Sequence, residues 1–595
     1  MKNIVTSLYA DYGRYIDAFR HIPKDIDVLK PVERRILLSV HQVARNKFEK
    51  SAKIIGTCIG NYHPHGDCLD GKTLIFTLDS GLQTIEDIYN SKVLSVPVLA
   101  VDKTNNIVKA NAYNFRIGQF ASTIYEIHFE NGESIKCTGN HKINTLDGWI
   151  RADDLTINAK VVALNSFEDI DNFNDECFLR VIKIEINHES NPIPMYDFTV
   201  DNIQNMFVAT GDVKRLSETK SLINVHNSST YDSLISLVNR GFITGQGNWG
   251  KYGLDDSRAA AYRYTECKAN NSLNNTFSDY LKFVPWENLE LEKEPLYIPY
   301  PVPLGLIGSG FITGIGFHTT KIPRYKFKDL VNRLVEILEN KQKTTIIPYV
   351  EDCAVYEEQA GEFEKILTSG QGKIQIVPNV TSTATEMIIT GRNPLIGFNS
   401  LKKLNNKHEE ENKVQLFNAI DLWDYKCKTT VYIQITTTSR SKLLDSKFKK
   451  TILTAISSKA SIRVNVIENN NFVKLKSIDE LLLLNYNKWK ESILKYNKNL
   501  LSSYITREEE YNVIIAVRAI INANPNIKKI EDIIKLNNSK YTDDQIRFAC
   551  SKHTIKTLIE SHIDIVSIKS KISSLKQTIS NIDKIVLDEV KTKFL

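Results

Sequence analysis

One junction constrains this chain more than any other. In NYHPHGDCLDGKTLIFTLDSG, Asn61 to Gly81, two histidines bracketing a proline run into strand-like segments to which they do not lead. From Cys68 onward the pattern is one of short alternating apolar and polar runs, such as TIYEIHFENGESIKCTG with its Asn-Gly turn, which predicts β-hairpins. At Ser228 the helical pattern returns with SSTYDSLISLVNRGFITGQGNWG, so an all-β segment interrupts a helical host. Charge marks the same boundary: residues 68–227 carry 14 Lys and Arg against 22 Asp and Glu, a net of −8. The rest of the chain carries 62 against 48, a net of +14, which the overall +6 conceals. A basic host suits a polyanionic partner, because cationic side chains release counterions condensed on DNA.

With 595 residues there is room for roughly four domains of ~150 residues. No run of 18 apolar residues occurs, and MKNIVTSLYADYGRY lacks the apolar centre of a signal peptide, so the expectation is a cytoplasmic chain without a membrane partner. The eight cysteines are scattered singly, which argues against disulfides and a structural zinc. His63, His65 and Cys68 have metal-ligand chemistry, but no second ligand pair follows them.

Joining Asp67 to Ser228 gives YHPHGDSSTYDSLISL. LKPVERRILLSV (Leu29 to Val40) precedes it, and GQGNWG (Gly245 to Gly250) and DDSRAAAYRYTE (Asp255 to Glu266) follow. In kind, order and approximate spacing these four segments resemble the A subunits of type IIA DNA topoisomerases, the gyrase A, topoisomerase IV A and phage medium subunit family. The intervening 160 residues resemble a mini-intein: they begin with Cys68, end with Val225-His226-Asn227, and are followed by Ser228. TGNH (Thr138 to His141) matches an intein TxxH motif, and MYDFTVDNIQNMFVATG (Met195 to Gly211) matches the motif near the downstream end, with Asp197 as its acidic residue.

The resemblance implies a multidomain α+β protein. Its parts would be a winged-helix cleavage domain in two pieces (1–67 and 228–290), an inserted all-β intein or Hint domain (68–227), a tower domain (291–477), and a long antiparallel coiled coil with the C-gate (478–595). In the insert it implies Cys68 as the first nucleophile, Thr138 and His141 assisting the departing amide, His226 assisting cyclisation of Asn227, and Ser228 as acyl acceptor. Gln204 stands where many inteins have a histidine, and DVKRLSETKSL (Asp212 to Leu222) is longer than usual.

In the host the resemblance makes Tyr264 the nucleophile that forms a 5′-phosphotyrosyl bond. Arg263 and Arg34 can offer planar donor forks to the phosphate, and His63 and His65 can donate to its oxygens or shuttle protons. In PLGLIGSGFITGIGFHTTKIPRY, Pro303 to Tyr325, either Phe311 or Ile312 could wedge between bases, with Ile312 favoured. No acidic DxD cluster of the TOPRIM kind and no complete GxxxxGK[S/T] phosphate loop occurs, since GQGNWGK (Gly245 to Lys251) is followed by Tyr252, so no metal is assigned to this chain, and Mg²⁺ and ATP are expected on a B-type ATPase/TOPRIM subunit.

Ile565, Ile568, Ile572, Leu575, Ile579, Ile582 and Val586 step by 3 and 4, predicting a helical seam against the helix through LLLLNYNKWKESILKYNKNLLSSYITREEEYNVIIAVRAII. Such arms imply a homodimer within a heterotetramer on double-stranded DNA. The absence of a QRRGGKG-like box favours relaxation and decatenation over active supercoiling. The rival expectation is a DNA-binding pseudo-enzyme, or a strand-breaking relative, carrying a splicing-dead Hint domain.

Overall fold

The structure, a computed structural model, describes residues 22–62, 68–93, 95–102, 106–139, 141–164, 177–200, 205–209, 221–226, 230–254, 257, 259–260, 262–270, 280–289, 292–315, 318–383, 385–412, 414–423, 427, 429–437, 443, 445–527, 529–551, 558 and 564–595. No helix among them is long and apolar enough to cross a membrane.

Host and insert bury separate cores, as the change of period at Cys68 predicts. On the host side, helix α1 (Pro31–Val43) opens with a proline at its first position, and the Glu33 carboxylate accepts from the Lys30 N–H at 2.9 Å. A two-residue strand β1 (Glu49–Lys50) leads into α2 (Ser51–Asn61), which ends beside the seam.

The insert is built of β2 (Leu69–Asp70), β3 (Leu74–Thr77), β4 (Gly81–Thr84), the short helix α3 (Ile85–Ser91), β5 (Ser95–Val101), β6 (Ile107–Phe129), β7 (Ser134–Cys137), β8 (Lys142–Thr145), β9 (Gly148–Arg151), β10 (Lys160–Leu164), β11 (Phe178–Val200), β12 (Asn205–Ala209) and β13 (Leu222–His226). These twelve strands form one sheet. Because β10 pairs with β11 on one side and with β13 and β8 on the other, the sheet curls back on itself. Its spine is the antiparallel pair β6 and β11, 23 residues each, with bulges that redirect the side chains.

After the insert come α4 (Thr230–Asn239), β14 (Ile243–Gln246) and β15 (Glu266–Ala269). The strands β14 and β15 pair with each other, and β1, from before the insert, pairs with β15. One small sheet is therefore assembled from both sides of the interruption. The chain continues through a five-stranded sheet containing Phe311–Ile315 and Thr319–Pro323, and a four-stranded sheet with its own core around Met387, Ile433 and Ile452.

The last third is helical. Helix α5 (Ile478–Ala523) is capped by Ser477, whose hydroxyl accepts from Glu480 N–H at 3.1 Å while the Glu480 carboxylate accepts from Ser477 N–H at 2.9 Å. Helices α6 (Ile565–Ser580) and α7 (Ile582–Phe594) run back along it, with Lys569 by Glu508 at 3.9 Å and Lys490 by Asp583 at 2.6 Å. The two ion pairs fix an antiparallel arrangement. All seven residues of the predicted seam are buried or half-buried, while Val566 beside them faces solvent.

Candidate functional sites at the seam and at the Tyr264 turn

At the upstream seam, β2 lies between β11 and β7, with Leu69 opposite Cys137, and this register sets Cys68 against Thr138. The Thr138 N–H donates to the Cys68 carbonyl at 3.0 Å. The Thr138 hydroxyl accepts from the Cys68 N–H at 3.1 Å and donates to the Cys68 carbonyl at 3.3 Å. Both residues are buried, so the amide that Cys68 shares with Asp67 is gripped on its nitrogen away from bulk water. Gly139 is needed in this turn because a Cβ there would lie 2.7 Å from the Tyr125 ring.

His141 closes the turn, its N–H donating to the Thr138 carbonyl at 3.0 Å, and it is buried. Strand β8 starts one residue later and pairs with β13 through Ile143 and Val225. The strand that ends at His226 thus runs beside the strand that leaves His141, so the turn from Thr138 to His141 lies near both ends of the insert. Asp197 is buried on β11, its carboxylate accepting from the Phe198 N–H at 2.8 Å. It sits two residues beyond Met195, which packs with Cys68. For His226 only the backbone is described, in register with Asn205. His63, His65, Asp67, Gln204, Asn227, Ser228 and most of the 212–222 segment lie outside the described residues.

In the host, Tyr264 stands 64% exposed on the turn that enters β15, with the Arg263 guanidinium 4.8 Å from its ring centroid. The next residue anchors the turn. The buried Thr265 hydroxyl bonds to Ser51 Oγ and to the Tyr231 hydroxyl, each at 2.8 Å, and the Ser51 N–H donates to the Thr265 carbonyl at 3.0 Å. Tyr264 is thereby tied to α2 and α4, the elements immediately before and after the insert. Gly247 of GQGNWG has φ +98°, and a Cβ there would lie 3.1 Å from the Tyr264 carbonyl, so this turn needs glycine twice over.

Two sequence expectations are corrected. Arg34 does not face the site: it is 0% exposed, and its guanidinium donates to Asp27 at 2.8 and 2.7 Å and to Glu294 at 3.4 Å. Burial opposes its charge, but Asp27 outweighs that and holds the guanidinium above its ordinary pKa. The fork expected for phosphate is spent on carboxylates. Ile312, favoured as the wedge, is 3% exposed in the host core opposite Ile322, whereas Phe311 is half-buried. Strand alternation turns the isoleucine inward.

Three groups escaped the sequence reading. Tyr231 and Thr265 brace the Tyr264 turn, and Tyr113 of the insert packs against it, its ring centroid 4.3 Å from that of Tyr262. Near Lys30, the half-buried Arg240 donates to Glu33 at 2.7 Å, and burial with Arg240 nearby pushes the Arg324 guanidinium down to about 9. Among the described residues, ligand atoms close enough to share a metal ion occur at Glu126, His128 and Glu185, on the insert's sheet.

A family model for the A subunit of DNA gyrase/topoisomerase IV matches residues 20–76 and 223–593, and one described as an intein splicing domain matches 75–214. Among curated relatives, the A subunit of DNA topoisomerase 4 from Bacillus subtilis (strain 168) is 41% identical over 70 residues, 11% of this chain and 9% of the relative. The DNA gyrase A subunit of Campylobacter jejuni is 44% identical over 70 residues, 11% of this chain and 8% of the relative. That of Rickettsia bellii is 47% identical over 62 residues, 10% of this chain and 7% of the relative. The aligned stretch thus spans only 7–9% of these relatives' lengths.

Proposed function

Since the chain belongs to the A-subunit family of DNA gyrase and topoisomerase IV and carries an intein splicing domain, we propose that it excises residues 68–227, and that the joined product is the DNA-cleaving subunit of an ATP-dependent type IIA topoisomerase. The observation that carries the reading is the convergence of both ends of the insert on the Thr138 to His141 turn.

The Cys68 thiol attacks the Asp67 carbonyl. The Asp67–Cys68 peptide bond breaks, a thioester forms, and the thiol proton ends on the freed amine of Cys68. The Thr138 hydroxyl holds that nitrogen throughout, and His141 supplies the proton to it as it leaves. The Ser228 hydroxyl then displaces the thiol to give an ester. Asn227 attacks its own carbonyl through its side-chain amide, cutting the bond to Ser228 and freeing that residue's amine. The amine takes the acyl group from its own oxygen, leaving an ordinary peptide bond between Asp67 and Ser228.

In the joined protein the Tyr264 phenol attacks a DNA phosphodiester. The P–O bond to the neighbouring 3′ oxygen breaks, and the 5′ phosphate stays on the tyrosine, so religation is the same exchange reversed. Exposure of Tyr264 and the guanidinium beside it support this role. Mg²⁺ and ATP are assigned to a B-type partner, and paired copies of this chain would cut the two strands for duplex passage, relaxing or decatenating DNA.

Intact mass tests the first half. Of the 595 residues, 160 should leave as free insert and 435 should be joined, and Cys68→Ala with Asn227→Ala should hold the full 67.8 kDa chain. Wild-type protein that stays full length through long reducing incubation refutes splicing.

A further inference from the structure

Ala110, Ala112, Ile127 and Phe129 of β6 lie in the insert's core, but Tyr113 on the same strand lies in the host's, 5% exposed. Its sheet neighbours are Ser95 and Thr199, so the strand itself is paired normally and the ring is what crosses to the host. There it meets the Tyr262 ring at 4.3 Å, and Tyr262 meets Tyr231 edge-on at 5.6 Å. The Arg263 guanidinium lies 5.3 Å from the Tyr113 ring centroid and 4.8 Å from that of Tyr264, between two tyrosines of which one leaves with the insert.

Tyr262 adds an independent observation. It is 2% exposed, and its buried hydroxyl has no hydrogen-bond partner among the described residues. A buried hydroxyl without a partner is costly, so packing alone gives no reason for a tyrosine at this position.

Resting on the reading of the Tyr264 turn as the DNA-cleavage site, we propose that Tyr113 is a built-in cover over a DNA-binding face formed by Tyr262 and Arg263. In the unspliced chain the insert's tyrosine occupies the place that the DNA backbone takes after excision. Tyr262 then donates its O–H, and Arg263 its guanidinium N–H groups, to phosphate oxygens. Charge supports this occupant: an insert of net −8 sits where a host of net +14 receives a polyanion. Excision therefore both restores the backbone and unveils the face.

The test is labelling by an arginine-selective aromatic dicarbonyl, read by peptide mapping at Arg263, which needs neither DNA nor cleavage. The Cys68→Ala/Asn227→Ala chain should label at Arg263 several-fold more slowly than the ligated protein, since the half-buried guanidinium has the Tyr113 ring against it only while the insert is in place. Adding Tyr113→Ala should restore most of the rate, whereas Tyr113→Phe, which keeps the ring, should leave Arg263 covered. Arg151, paired with Asp153 inside the insert, reports in the same digest on whether the insert stays folded. Equal Arg263 labelling in the blocked chain and the ligated protein overturns the cover. So does Tyr113→Ala without effect while Arg151 stays protected. Duplex DNA should slow Arg263 labelling in the ligated protein, and its failure to do so would instead remove the DNA assignment on which the proposal rests.

Discussion

Replacing Thr138 by valine deletes one oxygen from a buried side chain at nearly constant volume, and the structure sets what that oxygen is worth. It accepts from the Cys68 N–H at 3.1 Å and donates to the Cys68 carbonyl at 3.3 Å, while the backbone bond from Thr138 at 3.0 Å survives the change. Against a neutral amide, the hydroxyl contributes about 1 kcal/mol net. During the first step the Cys68 nitrogen becomes an amine and gains a proton, and a bond to a charged group is roughly twice as strong. Only the increase enters the barrier, because the penalty of an orphaned N–H is shared by ground and transition states. An increase of about 1–2 kcal/mol slows the step about 5- to 30-fold. The assay is release of residues 1–67 by dithiothreitol from an Asn227→Ala/Ser228→Ala chain, which isolates thioester formation from later steps. Thr138→Ser, which keeps the oxygen, should stay within about twofold of the parent. Release at the parent rate in Thr138→Val, or an equal loss in the serine variant, would refute the role given to the hydroxyl.

Tyr264→Phe in the ligated protein should abolish covalent DNA attachment while leaving duplex affinity and its salt dependence in place, measured by denaturant-trapped cleavage beside a binding titration. Arg34→Ala should destabilise the host by about 3–5 kcal/mol in denaturant melts, because it strands the buried Asp27 carboxylate, whereas Glu294 keeps Arg35 and Lys24. A melt unchanged by that substitution would return Arg34 to the candidate phosphate contacts. Burial, opposed by Lys476 and reinforced by Glu468, holds the Asp25 carboxyl up at about 6 from an ordinary 3.8. The folded state therefore keeps a proton that the unfolded state has lost between those values, so this group's cost to stability grows from pH 3.8 to about 6 and is constant above. Asp25→Asn should then gain at most about 3 kcal/mol near pH 7 and less toward pH 4, and a gain independent of pH counts against it.

The change from a helical to a β segment at Cys68 was legible because the period of the pattern changes there. The helical seam from Ile565 to Val586 was legible because its signal is local. Arg34 was misread because a guanidinium fits carboxylate and phosphate equally well, and its partners lie 7 and 260 residues away. Ile312 shows the reverse: the period of two in a strand from Phe311 to Ile315 turns that side chain inward, and reading the segment as a strand would have found it. Tyr113 left no trace in the pattern, since an aromatic at a strand position reads as core, and nothing local says whose core it enters.

Helix α5 carries a mechanical consequence of its own. Near Tyr297, Asn485 and Trp489 it is clamped: the Tyr297 hydroxyl donates to the Lys488 carbonyl at 3.1 Å, Asn485 donates to the Ile26 carbonyl at 3.1 Å, and the Trp489 and Phe594 rings lie 6.3 Å apart. From Ser492 to Ala523 it extends about 46 Å at the usual rise of an α-helix. Its outer end is a small separate knot of Val513, Val517, Ile521, Ile533 and Ile546. Such a rod is a lever with a short, stiff fulcrum, and a tilt of about 5° at the clamp carries the knot through about 4 Å, close to the spacing between neighbouring strands. A rotation too slight to disturb any single contact at Trp489 is thereby amplified into a stroke large enough to part or join two surfaces at the far end.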